Sequence, residues 1–153
     1  MEILEVTERS PEMLSQLLAI WEQSVRATHT FLSGEEIFQI KPYVPQALAG
    51  VAHLLLAMQE DGTPIGFMGV DSGKLEMLFL NPNLRRQGYG RKLVQKGITE
   101  YGVSEVTVNE QNPEAIKFYE AMGFRTYKHS ECDDQGGPYP LYYMKLENYH
   151  KND

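Results

Sequence analysis

Cysteine is almost absent from this chain: Cys132 is the only one in 153 residues. A single thiol excludes an intrachain disulfide framework and any multi-cysteine zinc site. Positive charge is also in deficit. Fourteen Lys and Arg stand against twenty-one Asp and Glu, a formal charge of −7. That balance is unsuited to tracking a nucleic-acid backbone, which needs a broad basic surface, so no nucleic-acid partner is expected. No apolar run approaches the roughly 20 residues of a membrane helix. The chain begins Met-Glu-Ile-Leu-Glu, without a basic stretch followed by an apolar one. A cytoplasmic protein with no membrane partner is therefore expected. His53, His129 and His150 show no spacing with acids that suggests ligation, so no metal is expected. Repeats, low-complexity tracts and dividing linkers are missing too. What is present is 42% apolar, enough to fold, at a length that fits one domain with a substantial core.

The pattern of elements follows from periodicity and punctuation. Residues 3–7 alternate like a short strand. Ser10-Pro11 reads as an N-cap with proline at the first helical position, opening an amphipathic helix to about residue 27. Ser33-Gly34-Glu35-Glu36 has capping-box spacing and predicts a second helix, broken by Pro42 and Pro45. Residues 52–59 and 64–71 are apolar enough for strands, and Asp61-Gly62 between them is a hairpin signal. Ser72-Gly73 turns the chain into a strand over 75–80. A helix is expected over 91–101, a strand over 104–108 and a helix over 113–122, with Gly123 as its stop. Final strands over about 124–131 and 141–146 flank the loop 133–140. The order β-α-α-β-β-β-α-β-α-β-β describes an α/β domain with a mixed sheet and helices on its faces.

Between the third strand of that central run and the next helix lies Asn81-Pro-Asn-Leu-Arg85-Arg86-Gln87-Gly88-Tyr89-Gly90. A strand feeding a glycine turn that opens a helix aims several backbone N–H groups at one spot. First-turn amides have no intrahelical partner and the helix dipole is positive there, so the spot suits phosphate. Arg85, Arg86 and Arg91 add cationic donors. Two nucleotide motifs that share such a turn are incomplete. A Walker loop needs Gly-Lys-Ser/Thr, whereas Gly90 is followed by Arg91-Lys92-Leu93. A dinucleotide fingerprint needs a small residue where Leu93 stands, and needs the turn to begin the fold. Gly-x-Gly alone is equally compatible with a purely structural turn.

A second segment narrows the reading. Asn112 can cap a helix whose first residue is Pro113, and Ala115, Ile116 and Tyr119 then share one face with it. Taken singly, Phe118 and Tyr119 are also consistent with core filling.

Together, Arg85-Arg86-Gln87-Gly88-Tyr89-Gly90, Asn112, Ala115, Phe118-Tyr119 and Gly123-Phe124 resemble the GNAT superfamily of acyl-CoA-dependent N-acetyltransferases. The stretches from Trp21 to Leu32, Val108 to Asn112 and Gly137 to Leu141 are similar to a bacterial subgroup, the YjaB-type acetyltransferases. The resemblance implies a single α/β domain over 1–147 and a C-terminal tail over 148–153. It implies a mixed, mostly antiparallel sheet flanked by helices, with a splayed central strand pair. Acetyl-CoA is the implied acyl-donor co-substrate. Its pyrophosphate would lie on the turn formed by Arg85, Arg86, Gln87, Gly88, Tyr89, Gly90 and Arg91. Its pantetheine arm would lie on backbone groups of Leu78, Phe79 and Leu80, with Asn112 as a further hydrogen-bonding group.

The implied chemistry is transfer of acetyl to a primary amine, on a small molecule or a protein, by direct attack on the thioester. Tyr119 matches the family's general acid for the leaving thiolate. Glu76 lies on the strand entering the turn and is the first candidate base. Simple alternation would place it on the face of Leu78 and Leu80, although a solvated strand end explains it equally well. Glu110 and His29 are further candidates for the base, and water could mediate. The acceptor pocket would be walled by Trp21, His29, Phe31 and Tyr139. Asp133 and Asp134 would be available to a cationic amine, unless they simply face water. A monomer or a homodimer is compatible with the chain, the latter through exposed tyrosines of the last strand. The alternative from another class is an acyl-CoA-binding sensor without transfer.

Overall fold

The computed structural model of the chain describes residues 1–147. The expected tail over 148–153, with His150, lies outside the described residues. Residues Met1–Val103 form one compact unit, and a second begins at Ser104.

In the first unit, strands β1 (Glu2–Glu5), β2 (His53–Met58), β3 (Pro64–Asp71) and β4 (Lys74–Leu80) pair antiparallel in chain order. β2 and β3 are buried along nearly their whole length, which explains why they read as unbroken apolar runs rather than alternating ones. Helices cover both faces. On one, Leu17, Ile20, Trp21 and Val25 of α1 (Pro11–Thr28) pack with Leu54, Leu56 and Phe67 of the sheet. On the other, α4 (Tyr89–Tyr101) lies over β2, β3 and β4 and buries Leu93 and Val94. A Cβ on its Gly97 would meet the Met68 side chain at 3.1 Å, so the glycine lets α4 sit close to β3.

The turns are those the punctuation announced. Ser10 and Ser33 cap α1 and α2 (Gly34–Ile40), and Ser33 with Glu36 forms the full reciprocal box. Ser72 and Gly73, with φ of 51° and 80°, make the two-residue turn between β3 and β4.

The second helix stops at Ile40, just before Pro42, as expected, but further helical segments follow it. A 3-10 turn, Lys41–Tyr43, leads directly into a further helix, α3 (Val44–Gly50). Each proline falls in the first turn of its segment, where its missing N–H has no helical partner to lose. Leu48 of α3 is fully buried in the α1-side core. Arg9 secures the end of α3 by donating from Nη1 to the carbonyls of Leu48 (2.9 Å) and Val51 (2.6 Å).

In the second unit, β7 (Leu141–Leu146) pairs antiparallel with both β5 (Glu105–Asn109) and β6 (Phe124–Ser130). Helix α5 (Pro113–Ala121) packs on β6. Its core contains Val106, Val108, Tyr119, Phe124 and Met144. Among the described residues, no helix is long and apolar enough to cross a membrane.

Candidate active site

In the first unit, β4 runs through a 3-10 turn, Pro82–Leu84, into the glycine loop and α4. Asn81 caps that turn, its Oδ1 accepting from the Asn83 N–H at 2.9 Å. Arg86 follows with φ 66°. This left-handed conformation costs a non-glycine residue about 1–2 kcal/mol. Gly88 is the N-cap of α4 at φ 87°, a geometry open to glycine, and a Cβ there would project into open space. No side chain caps α4. The first helical bond runs from Lys92 N–H to the Gly88 carbonyl, so the amides of Tyr89, Gly90 and Arg91 lie ahead of it without helical partners. Gly90 itself is buried. Open amides, a positive dipole end and flanking arginines form a donor set that fits a pyrophosphate. A shallow cleft beside Tyr89 does not: Glu60 and Asp61 line it with the wrong charge.

β4 carries an irregularity that alternation could not show. Gly69 of β3 faces Met77, but the next residue, Val70, faces Leu75. Glu76 is the extra residue of a β-bulge. Leu75, Leu78 and Leu80 therefore share a face with Val70, Met68 and Gly66, whereas Met77 and Phe79 pack on the α1 side. The period of two breaks at Glu76, so alternation along β4 does not by itself assign its face. Its carboxylate is exposed rather than set in an apolar stripe.

At the end of α1, Trp21 is 6% exposed and belongs to the core. His29 is the C-cap, its ring 5.4 Å from Phe31 and 6.2 Å from Phe79 of β4. Burial holds its imidazole below the usual histidine pKa. The Thr28 hydroxyl lies 2.8 Å from His29 Nδ1 and 2.8 Å from the Ser24 carbonyl.

In the second unit, Asn112 caps α5 as expected, Oδ1 accepting from Ala115 N–H at 3.3 Å. Tyr119 is 7% exposed, with its ring edge-on to Phe124 at 5.7 Å and to Phe118 at 5.0 Å. Burial pushes its phenol well above the ordinary tyrosine pKa, so it is a neutral proton carrier. Among the described residues its hydroxyl has no hydrogen-bond partner, and no fully buried side-chain polar atom lacks one. The Tyr119 hydroxyl therefore reaches solvent from a buried ring.

Other acids are already engaged. Glu110 bonds the His129 imidazole. Asp133 Oδ1 accepts from the N–H groups of Gln135 and Gly137, at 3.0 and 2.7 Å, and so shapes its own loop. Asp134 accepts from Tyr143 at 2.8 Å, and Lys128 lies over that ring. Tyr142 packs on His129, so the tyrosines of β7 are half-buried and occupied rather than exposed. Tyr139 is half-buried in the same unit. Among the described residues, no group of three or more His, Cys, Asp or Glu is placed to hold a metal ion.

The family model described as an acetyltransferase (GNAT) domain matches residues 23–146. The chain belongs to the GNAT acetyltransferase family. A Salmonella typhimurium protein named peptidyl-lysine N-acetyltransferase YjaB is 40% identical, over 82% of this chain and 86% of its own. The Escherichia coli protein of the same name is 37% identical over 91% and 94%. The solution structure of apo-form YjaB from Escherichia coli superposes with a TM-score of 0.84 at 36% identity, covering 96% of this chain and 99% of that one. A PaiA N-acetyltransferase from Thermoplasma acidophilum, solved in complex with coenzyme A, shares the fold at 23% identity, with a TM-score of 0.69 over 95% and 100%.

This GNAT chain is thus an N-acetyltransferase, and the mixed, mostly antiparallel α/β fold expected from its sequence is the one observed. The strand, turn and helix from Leu78 to Arg91 form one continuous segment, with Trp21, His29 and Phe31 in the same unit. Asn112, Tyr119 and Tyr139 belong to the second unit. The bulge at Glu76 and the pairing of Thr28 with His29 gave no separate sequence signal. Both depend on partners that only the folded chain supplies.

Proposed function

We propose that this protein transfers the acetyl group of acetyl-CoA to the side-chain amine of lysine in a peptide or protein. The observation that carries the reading is the uncapped N-terminus of α4 behind Gly88, flanked by Arg85, Arg86 and Arg91. The peptidyl-lysine naming of relatives at 37% and 40% identity supports the acceptor class. In this reading residues 1–147 act as one acetyltransferase domain of a cytoplasmic, bacterial-type enzyme, followed by a tail over 148–153.

The turn amides and Gln87 hold the pyrophosphate, and backbone groups of Leu78, Phe79 and Leu80 hold the pantetheine arm. Asn112 contributes its remaining amide hydrogens. One backbone N–H of Leu78, Phe79 or Leu80 stabilises the oxyanion, a contribution that can reach about 3 kcal/mol. The amine nitrogen attacks the thioester carbon, the C–S bond breaks, and Tyr119 donates to the departing sulfur. Phe31 and Tyr139 are assigned to the acceptor side, whereas Trp21 stays in the core. Two groups of the first unit can take the amine proton: the exposed carboxylate of Glu76 and the imidazole of His29.

The test incubates the protein with acetyl-CoA and a mixture of Nα-blocked lysine peptides, amino sugars and polyamines, with mass spectrometry of products and a parallel acetyl-CoA titration. Acetylated lysine is the expected product. Acetylation confined to amino sugars or polyamines would overturn the acceptor assignment. Acetyl-CoA binding without any product would favour the sensing alternative.

A further inference from the structure

We propose that His29 accepts the proton of the attacking amine through Nε2, and that the Thr28 hydroxyl is a positioning residue that holds the imidazole in the Nδ1–H tautomer. The inference rests on the acetyl-transfer reading and deepens it by naming the proton acceptor.

The tautomer follows from a count of hydrogens. Thr28 Oγ1 lies 2.8 Å from both the Ser24 carbonyl and His29 Nδ1. A carbonyl can only accept, so the single hydroxyl hydrogen goes to Ser24. Oγ1 is then an acceptor toward Nδ1, which must carry the ring hydrogen. Nε2 is left with its lone pair, the form of imidazole that takes a proton. Among the described residues Nε2 makes no hydrogen bond, and no fully buried side-chain polar atom is unpartnered. Nε2 therefore opens to solvent, although the ring packs against Phe31 and Phe79. An apolar cradle with one open basic nitrogen disfavours imidazolium before the reaction and leaves the lone pair available.

Placement supports the role. Phe79 is a residue of β4, the strand that runs into the glycine turn. The other candidates are less suited: Glu110 is committed to His129, and Glu76 is an exposed carboxylate on a bulge. As the new C–N bond forms, the amine nitrogen gains positive charge and its N–H becomes acidic. The proton passes to Nε2, the C–S bond breaks with its electron pair going to sulfur, and the imidazolium then releases its proton to water. Breaking the Thr28 contact frees the ring to adopt the opposite tautomer, in which Nε2 carries a hydrogen and cannot accept.

The experiment uses the full chain with 15N-labelled histidine. Imidazole nitrogen shifts, with His29→Gln to assign the signal, report the tautomer. Acetyl-CoA binding and turnover on blocked lysine peptides are measured beside them. The expected wild-type signal is Nδ1–H. In Thr28→Val the Nε2–H form should appear and kcat should fall several-fold, whereas Thr28→Ser should restore both. His29→Gln should lower kcat by roughly 10²-fold while leaving acetyl-CoA affinity within about twofold. An Nε2–H signal in the wild type overturns the inference. So does His29→Gln with unchanged turnover, or with acetyl-CoA binding lost alongside turnover, which would mark a structural role. Failure of the wild type itself to bind acetyl-CoA would instead overturn the reading on which the inference stands.

Discussion

Tyr119 combines two properties that pull against each other in an acid. Burial raises its pKa, which keeps the phenol protonated but makes full release of the proton costly. In the proposed reaction, a hydrogen bond to the developing thiolate, tightening as the C–S bond breaks, would reconcile them. Tyr119→Phe keeps the ring that packs on Phe124, so the fold should persist. Its kcat should fall by roughly 10²-fold with the KM for acetyl-CoA little changed, as steady-state kinetics would show. An unaltered kcat would remove Tyr119 from the chemistry. The sign of the shift adds a check on pH dependence. The folded phenol stays protonated where an ordinary tyrosine ionises, near pH 10, so Tyr119 should impose no alkaline loss of kcat there. Glu76 shows the limit of reading single residues: its type pointed to a base, but it is itself the inserted residue of a bulge opposite β3, where alternation fails.

At the scale of elements, the glycine loop makes the sharpest prediction. Gly88 stands at φ 87°, and a Cβ there meets nothing in the protein. Gly88→Val should cost about 1–2 kcal/mol through backbone strain alone, measured by denaturant unfolding. It should weaken acetyl-CoA binding by much more than that loss of stability can explain, because the side chain would stand where phosphate approaches. Equal losses in stability and binding would argue for a merely structural turn. A second device joins three elements: Glu5 of β1 accepts from the Tyr101 hydroxyl at the end of α4 and bonds His53 of β2, each at 2.8 Å. These bonds, His53 first, lower the Glu5 pKa, and the hydrogen bond to Glu5, with burial, pushes Tyr101 up to about 12. The depressed carboxylate stabilises the fold above its unfolded pKa and loses that contribution as acid protonates it. Glu5→Gln should therefore flatten the fall in thermal midpoint below about pH 4.5. The raised phenol works in the opposite direction, so stability should decline as pH rises from about 10 to 12, and Tyr101→Phe should remove that decline.

At the scale of the whole molecule, a formal charge of −7 surrounds a reaction whose proposed acceptor is cationic. Long-range attraction should then lower the KM for lysine peptides at low ionic strength. Raising salt from about 0.05 to 0.5 M should increase that KM several-fold, since screening shortens to a few ångströms, while kcat changes little. A KM indifferent to salt would mean that local contacts alone select the acceptor. Much of the architecture was legible without coordinates because its determinants are local. Serine caps, the Ser72-Gly73 turn and the unbroken apolar runs of β2 and β3 each act within a few residues. The strand, glycine turn and helix that announce a phosphate site are likewise contiguous. What required the folded chain was every feature that depends on a distant partner. After α2 ended, Pro42 and Pro45 could also begin new segments because Leu48 had a core to enter and Arg9 reached the carbonyls at the end of α3. The bulge at Glu76 was set by the register of β4 against β3. The packing of the His29 ring was set in part by Phe79, more than forty residues along the chain. Local sequence specifies torsions, caps and periods. Register, burial and the last unpaired atom are properties of packing, and packing alone decided them.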